Sequence, residues 1–298
     1  MNAPKPDEIP LAVGTLLAAA CWTWLVFRWR RGMPVLPLAW RRQVPWDGLA
    51  ALGGALLLLV IGPVIEVAVV RALGVTPDVV DAAAHDSDHL VVRLVRDRPG
   101  VMTIAVCLAA VVVAAPLVEE FFFRVVLQGW LERVEGHWRR RRAPRWFRGV
   151  LPVLMSSLFF AAVHARTSHG QLNPDYLLCL IGASAVYNLL FLAAALVVLR
   201  GACGATWRDL GASCSWPELR RDVIQGLVAF VAVFGPVYIV QGVAKTRLPA
   251  TIAADPAGIF ALALALGVLY FRTHRLLPSL VLHMAFNAAS MTLLLLSV

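Results

Sequence analysis

The sequence predicts an all-α polytopic membrane protein of about eight transmembrane helices, with a site in the interior of the helix bundle. Three observations carry this. Of 298 residues, 60% are hydrophobic and 15% charged, with a mean hydropathy of +0.75, a balance foreign to soluble domains. The apolar residues gather in runs of membrane-crossing length. The arginines gather between those runs: 18 of the 27 Lys and Arg fall at 28–42, 133–148, 200–221 and 272–275, as cytoplasmic loops require. That placement also accounts for the net charge of +9. No Gly-rich phosphate loop or aromatic-basic motif accompanies it, so no nucleic-acid partner is expected. The partner implied by the composition is the lipid bilayer.

Taken in order, the first run is Ile9 to Phe27, followed by Arg28, Arg30 and Arg31. A cleaved signal peptide carries its positive charge in front of the apolar region. This run has the reverse polarity and predicts a retained helix with its N-terminus outside. The second run is about Leu49 to Leu73, with Glu66 near its far end. A polar loop follows, about Gly74 to Pro99, containing HDSDH at His85 to His89. Neighbouring His and Asp alone fix no coordination geometry, so these five read as a solvated loop. The third run, about Val101 to Leu131, leads into the most basic loop, Arg133 to Arg148. The fourth is about Val150 to Ala165, and Asn173-Pro174 breaks the pattern after it. The fifth is about Tyr176 to Leu199 and the sixth about Val223 to Ala244. The seventh, about Gly258 to Phe271, turns through RTHRLLP into the eighth, about Leu276 to Leu296. The basic residues are 25 Arg and 2 Lys, which a GC-rich coding sequence gives, and this points to a bacterial plasma membrane. Five cysteines without CxxC spacing predict free thiols.

The third run holds the chemistry. It places Glu119, Glu120 and Arg124 among apolar neighbours, as PLVEEFFFRVVLQGW. Charged side chains at a helix centre cost about 2.5–3.5 kcal/mol each, against about 0.3–0.6 gained per Val, Leu, Ile or Phe. The polar face of this helix must therefore look into a bundle or a water-filled cavity, where ionisable residues are functional candidates. Glu120 and Arg124 are four apart and share a face, whereas Glu119 points about 100° away. One carboxylate is expected to be neutralised by its own arginine and the other left without a helix partner.

Other polar residues reach the same depth. At 1.5 Å per residue, Glu119 lies about 18 Å and His164 about 20 Å from the inner end, with His283 at about 11 Å and Asn287 at about 17 Å. Phe160 shares a face with His164, and His283 with Asn287. A lone membrane histidine is usually a helix-packing hydrogen bonder, but two histidines, an Asn and a Glu pair at one level predict a site.

Together these residues resemble the CPBP intramembrane proteases, the family of CAAX prenyl proteases and bacteriocin-processing enzymes also called ABI. EExxxR is present as Glu119, Glu120 and Arg124. FxxxH is present as Phe160 and His164 within SSLFFAAVH, and HxxxN as His283 and Asn287 after LGVLYFRTHRLLPSLV. The likeness covers about Val101 to Arg166 and Gly258 to Ser290. Val125 stands where the family commonly has Gly, and the stretch between the two histidines is about two helices longer than usual. The resemblance implies N-terminal helices and an outer loop over 1–100, then a catalytic membrane domain over 101–298 with a two-helix insertion at about 176–244. It implies an intramembrane endopeptidase acting on a membrane-associated peptide or protein. Glu119 would be the base for water and His164 would position that water. His283 and Asn287 would supply oxyanion donors, and Glu120 with Arg124 would brace the helix. A divalent metal, zinc, held by Glu119, His164 and His283 fits the same residues. Two readings compete: a non-enzymatic protein of the same fold in an immunity or scaffold role, and an ion-coupled transporter. A scaffold has no evident need of Asn287. A transporter should show paired broken helices, yet the Glu pair has no counterpart near Ala261 in the second half.

Overall fold

Every apolar run becomes a helix, because a backbone inside hydrocarbon must satisfy its own hydrogen bonds. A computed structural model describes residues 8–33, 35–36, 43–75, 79–80, 90–138, 148–164, 171–212, 215–247 and 255–297. The helices are α1 Glu8–Arg30, α2 Gly48–Ala72, α3 Leu90–Asp97, α4 Val101–Trp138, α5 Val150–Val163, α6 Pro174–Gly201, α7 Trp216–Arg247, α8 Asp255–Thr273 and α9 Leu276–Ser297. A two-residue antiparallel ladder, β1 Val79–Val80 with β2 Gln171–Leu172, is added to this all-helical plan.

Six helices are long and apolar enough to cross a membrane: α2, α4, α6, α8, α9 and the Trp216–Ala244 part of α7. The expected count of about eight exceeds this by α1 and α5. With 14 residues, α5 is about 21 Å long at 1.5 Å per residue, against a hydrocarbon core of about 30 Å. The expected loop Gly74–Pro99 contains α3, missed because it is short and carries Arg93, Arg96 and Asp97. Its Val91, Leu94 and Val95 form a buried stripe against Cys107, Leu177 and Met291. Asn173-Pro174 proves to be a helix start: the Asn173 side chain accepts the Tyr176 N–H at 2.6 Å, and Pro174 occupies the first turn. His85 to His89, Arg139 to Arg142 and Cys214 lie outside the described residues.

The centre of the bundle is α4, which packs against α2, α5, α6, α8 and α9. Beyond it α8 and α9 pack against α7, and α1 lies along α7. Buried around α4 are Phe121, Phe122, Phe123, Phe160, Tyr187, Phe191 and Tyr270. The rings of Phe123 and Phe160 meet edge-on with centroids 4.9 Å apart, a favoured aromatic geometry. The outward faces of α1, α2 and α6 carry exposed leucines and tryptophans, a surface suited to lipid.

Two helices do not wind uniformly. Wider π-type turns occupy Leu57–Ile61 in α2 and both Leu108–Ala114 and Phe121–Gln128 in α4. Pro63 and Pro116 follow the first two. A proline lacks the N–H that the carbonyl four residues earlier would use and clashes with that carbonyl, and widening the turn relieves the conflict. Each widened segment also receives a side-chain donor from another element. The Tyr187 hydroxyl donates to Leu57 O at 2.5 Å, the Asn287 amide to Val111 O at 2.8 Å, and the Trp46 indole to Val126 O at 3.0 Å. The Glu pair sits on the single regular stretch between the two widened segments of α4.

Candidate active site

Glu120 is fully buried and faces Arg124, also fully buried, with Oε2 and Nε 3.4 Å apart. This is an ion pair without hydrogen-bond geometry: Glu120 Oε2 and Arg124 Nε and Nη2 have no hydrogen-bond partner among the described residues. The other Glu120 oxygen lies 3.1 Å from His283 Nδ1. Arg124 Nη1 donates to Ser156 Oγ at 3.3 Å, and the Arg124 guanidinium stands 5.5 Å from the centre of the Phe160 ring. The pair fixes α4 to α5 and α9 at once.

Glu119 is 23% exposed and meets both histidines. Its Oε1 lies 3.5 Å from His164 Nε2, and its Oε2 lies 3.7 Å from His283 Nε2. This agrees with the expectation of a carboxylate without a partner on its own helix. Two imidazoles arrive from α9 and from the end of α5. His164 itself lies one residue beyond α5, which ends at Val163 rather than Ala165. Its ring stacks on Phe160, centroids 4.4 Å apart, while the Phe160 and His283 rings meet edge to face with centroids 5.9 Å apart.

The partners of the other ring nitrogens set the tautomers. His164 Nδ1 lies 2.7 Å from the Phe160 carbonyl, and His283 Nδ1 faces the Glu120 carboxylate. Both partners only accept, so each Nδ1 carries a proton and, when neutral, each ring turns an Nε2 lone pair towards Glu119. The facing acceptors are satisfied by a proton or by a water molecule donating to both.

Asn287 lies one turn beyond His283 on α9, with Nδ2 bound to Val111 O. Among the described residues no group of three His, Cys, Asp or Glu side chains is disposed to hold a metal ion. Val125, the departure from the usual Gly, is fully buried in the core around α4.

Sequence reasoning missed the continuation of the polar face. Ser156 Oγ lies 3.3 Å from Gln128 Oε1, and Gln128 Nε2 donates to Gly267 O at 3.0 Å and to Glu132 Oε1 at 3.1 Å. Glu132 lies 3.6 Å from His274 in the turn between α8 and α9. The signal was a spacing of four through Glu120, Arg124, Gln128 and Glu132, which puts all of them on one helical face.

The chain is thus a helical membrane protein whose interior sets a carboxylate between two imidazoles. The family model described as Type II CAAX prenyl endopeptidase Rce1-like matches residues 101–207 and 197–289, and the chain belongs to that family. The family is one of CAAX proteases, so the chain is a multi-pass membrane protein of a protease family. No curated protein and no solved structure matches it.

Proposed function

We propose that the protein is an intramembrane endopeptidase that hydrolyses a peptide bond in a membrane-associated protein or peptide, using water activated by Glu119. The observation that supports this best is the bracketing of Glu119 by two Nε2 atoms, each aimed by a partner on its own Nδ1. Water held between Glu119 and His164 gives a proton to Glu119 as its oxygen attacks the carbonyl carbon. His283, keeping the proton shared across its Nε2–Glu119 gap, donates it in a hydrogen bond to the oxyanion while Glu120 accepts from Nδ1. Asn287 has two amide hydrogens. One holds Val111, and the other serves the oxyanion. The tetrahedral intermediate collapses as Glu119 returns the proton to the departing amine. Phe160 keeps the two rings in place, and Glu120 with Arg124 braces α4. Zinc, if held by Glu119, His164 and His283, would activate the same water as a Lewis acid.

The catalytic unit is taken as 101–298 and the N-terminal helices as 1–100, with 176–244 as an added pair of helices. The membrane is taken as the bacterial plasma membrane, crossed about eight times with the N-terminus outside. A peptide or membrane-protein substrate suits that setting better than a prenylated tail.

The test is cleavage of a peptide library by purified protein. Wild type should cut, Glu119→Ala should lose the activity, and exhaustive chelation should leave it intact. Loss on chelation with recovery on zinc addition would replace the water mechanism by an ion. Undiminished cutting by Glu119→Ala would end the hydrolytic reading of this site.

A further inference from the structure

On the side of the bundle formed by α1, α7 and α8 there is a cavity of about 810 Å³. Its walls are apolar, with Trp22 and Val26 from α1, Val228 and Ala232 from α7, and Ala265 and Val268 from α8. α1 and α7 run antiparallel here. Gly14 lies against Phe234, while the Trp22 indole donates to Ala232 O at 2.9 Å and the Cys21 thiol meets Val228 O. The basic end of α1, Arg28 and Trp29, therefore comes level with Ile224 and Gln225 in the early turns of α7, and all four border the cavity. Ile224 and Gln225 also border a second cavity, about 410 Å³, whose other walls are Trp216, Pro217, Arg220 and Arg221. The two form one groove, apolar within and basic-aromatic at its mouth.

We propose that this groove binds an anionic membrane phospholipid, its acyl chain lying between α1, α7 and α8 and its phosphate held by Arg28, Arg220 and Arg221. Charge selects the occupant. The acids of the adjoining turns, Glu218 and Asp222, are both engaged by Arg275, with Glu218 at 3.1 Å. Arg221 stands 3.7 Å from the other Asp222 oxygen, so positive charge remains in excess at the mouth. Arg28 lies over the Trp24 ring, 4.9 Å from its centre, and its buried Nε has no hydrogen-bond partner among the described residues. A phosphate oxygen supplies that acceptor. Trp29 and Trp216 stand exposed at the mouth, where amphipathic rings favour the headgroup level. Basic pockets between helices at the cytoplasmic side are known headgroup sites in membrane proteins generally. Leu282, in the wall of the groove, precedes His283 in α9, so a bound chain braces the helix that carries the site.

The purified full-length protein in mild detergent is offered equimolar phosphatidylglycerol and phosphatidylcholine with the same acyl chains, and retained lipid is counted by native mass spectrometry. Phosphatidylglycerol should be retained at one per protein with a preference of about tenfold or more, as several arginines at an anionic headgroup provide. The double variant Arg220→Gln, Arg221→Gln should lose the preference while still retaining lipid. Val268→Trp, which fills the apolar end, should lose retention of both. These three positions are exposed, so the core is not disturbed. Equal retention of the two lipids by wild type overturns the proposal, as does a preference that survives in the double variant. Stronger retention of a lipidated peptide in direct competition also overturns it, giving the groove to substrate.

Discussion

The adjacent carboxylates Glu119 and Glu120 have different partners because about 100° of helix separates them. Glu120 turns inward to Arg124 and His283, with no exposure, whereas Glu119 keeps partial exposure between two Nε2 atoms. Removing one member of a buried pair strands the other charge and costs about 3–5 kcal/mol. Glu120→Gln and Arg124→Ala should therefore lower folded yield and melting temperature. Glu119→Gln should fold nearly as wild type, because its neighbours are imidazoles that can remain neutral. Fluorescence-detected gel filtration and thermal melts of the three variants give the comparison. Equal melting temperatures would contradict the different placement of the two carboxylates.

At the scale of the element, the widened turns of α4 depend on donors from elsewhere in the bundle. Asn287 is tied to Val111 in the segment that precedes the Glu pair, so its influence on Glu119 passes through backbone winding. Stranding a buried acceptor costs about 1–3 kcal/mol. Asn287→Ala should therefore lower the melting temperature as well as cleavage, while a purely oxyanion role would spare the melt. This also weakens the sequence-level inference that a scaffold has no need of Asn287, since the residue has a structural partner. The runs themselves were legible, and every helix but α3 coincides with one. The Glu120–Arg124 pair was legible too, because a spacing of four on a helix is local information. The widened turns were not legible beyond the prolines, since Phe121–Gln128 contains none. The approach of His164 and His283 to Glu119 was expected from their matched depth, but which ring nitrogens face it depends on packing between α4, α5 and α9.

Across the whole molecule, the ladder of Val79–Val80 with Gln171–Leu172 joins the loop after α2 to the chain after α5. These segments belong to the two stretches that charge counting puts outside, and pairing requires that they share a side. Single cysteines introduced at Ala83 and Ala143 should accordingly label from opposite sides of the membrane, with Ala143 cytoplasmic. Impermeant maleimide applied to intact and permeabilised cells distinguishes them, and labelling from the same side would remove the eight-span topology. Depth counting put Glu119 and His164 at one level, and the fourth run was expected to end near Ala165, two residues beyond the end of α5.

That early stop has a mechanical consequence for the surrounding bilayer. A helix about 21 Å long cannot match a hydrocarbon layer of about 30 Å, and mismatch of this kind thins the lipid beside it at a cost of fractions of a kcal/mol per Å. The dimple would bring headgroups and water down towards His164 and relieve a substrate helix of part of its hydrophobic length. Turnover in vesicles of graded acyl-chain length should rise as the chains shorten. A rate indifferent to thickness would mean that the protein, rather than the lipid, absorbs the deficit.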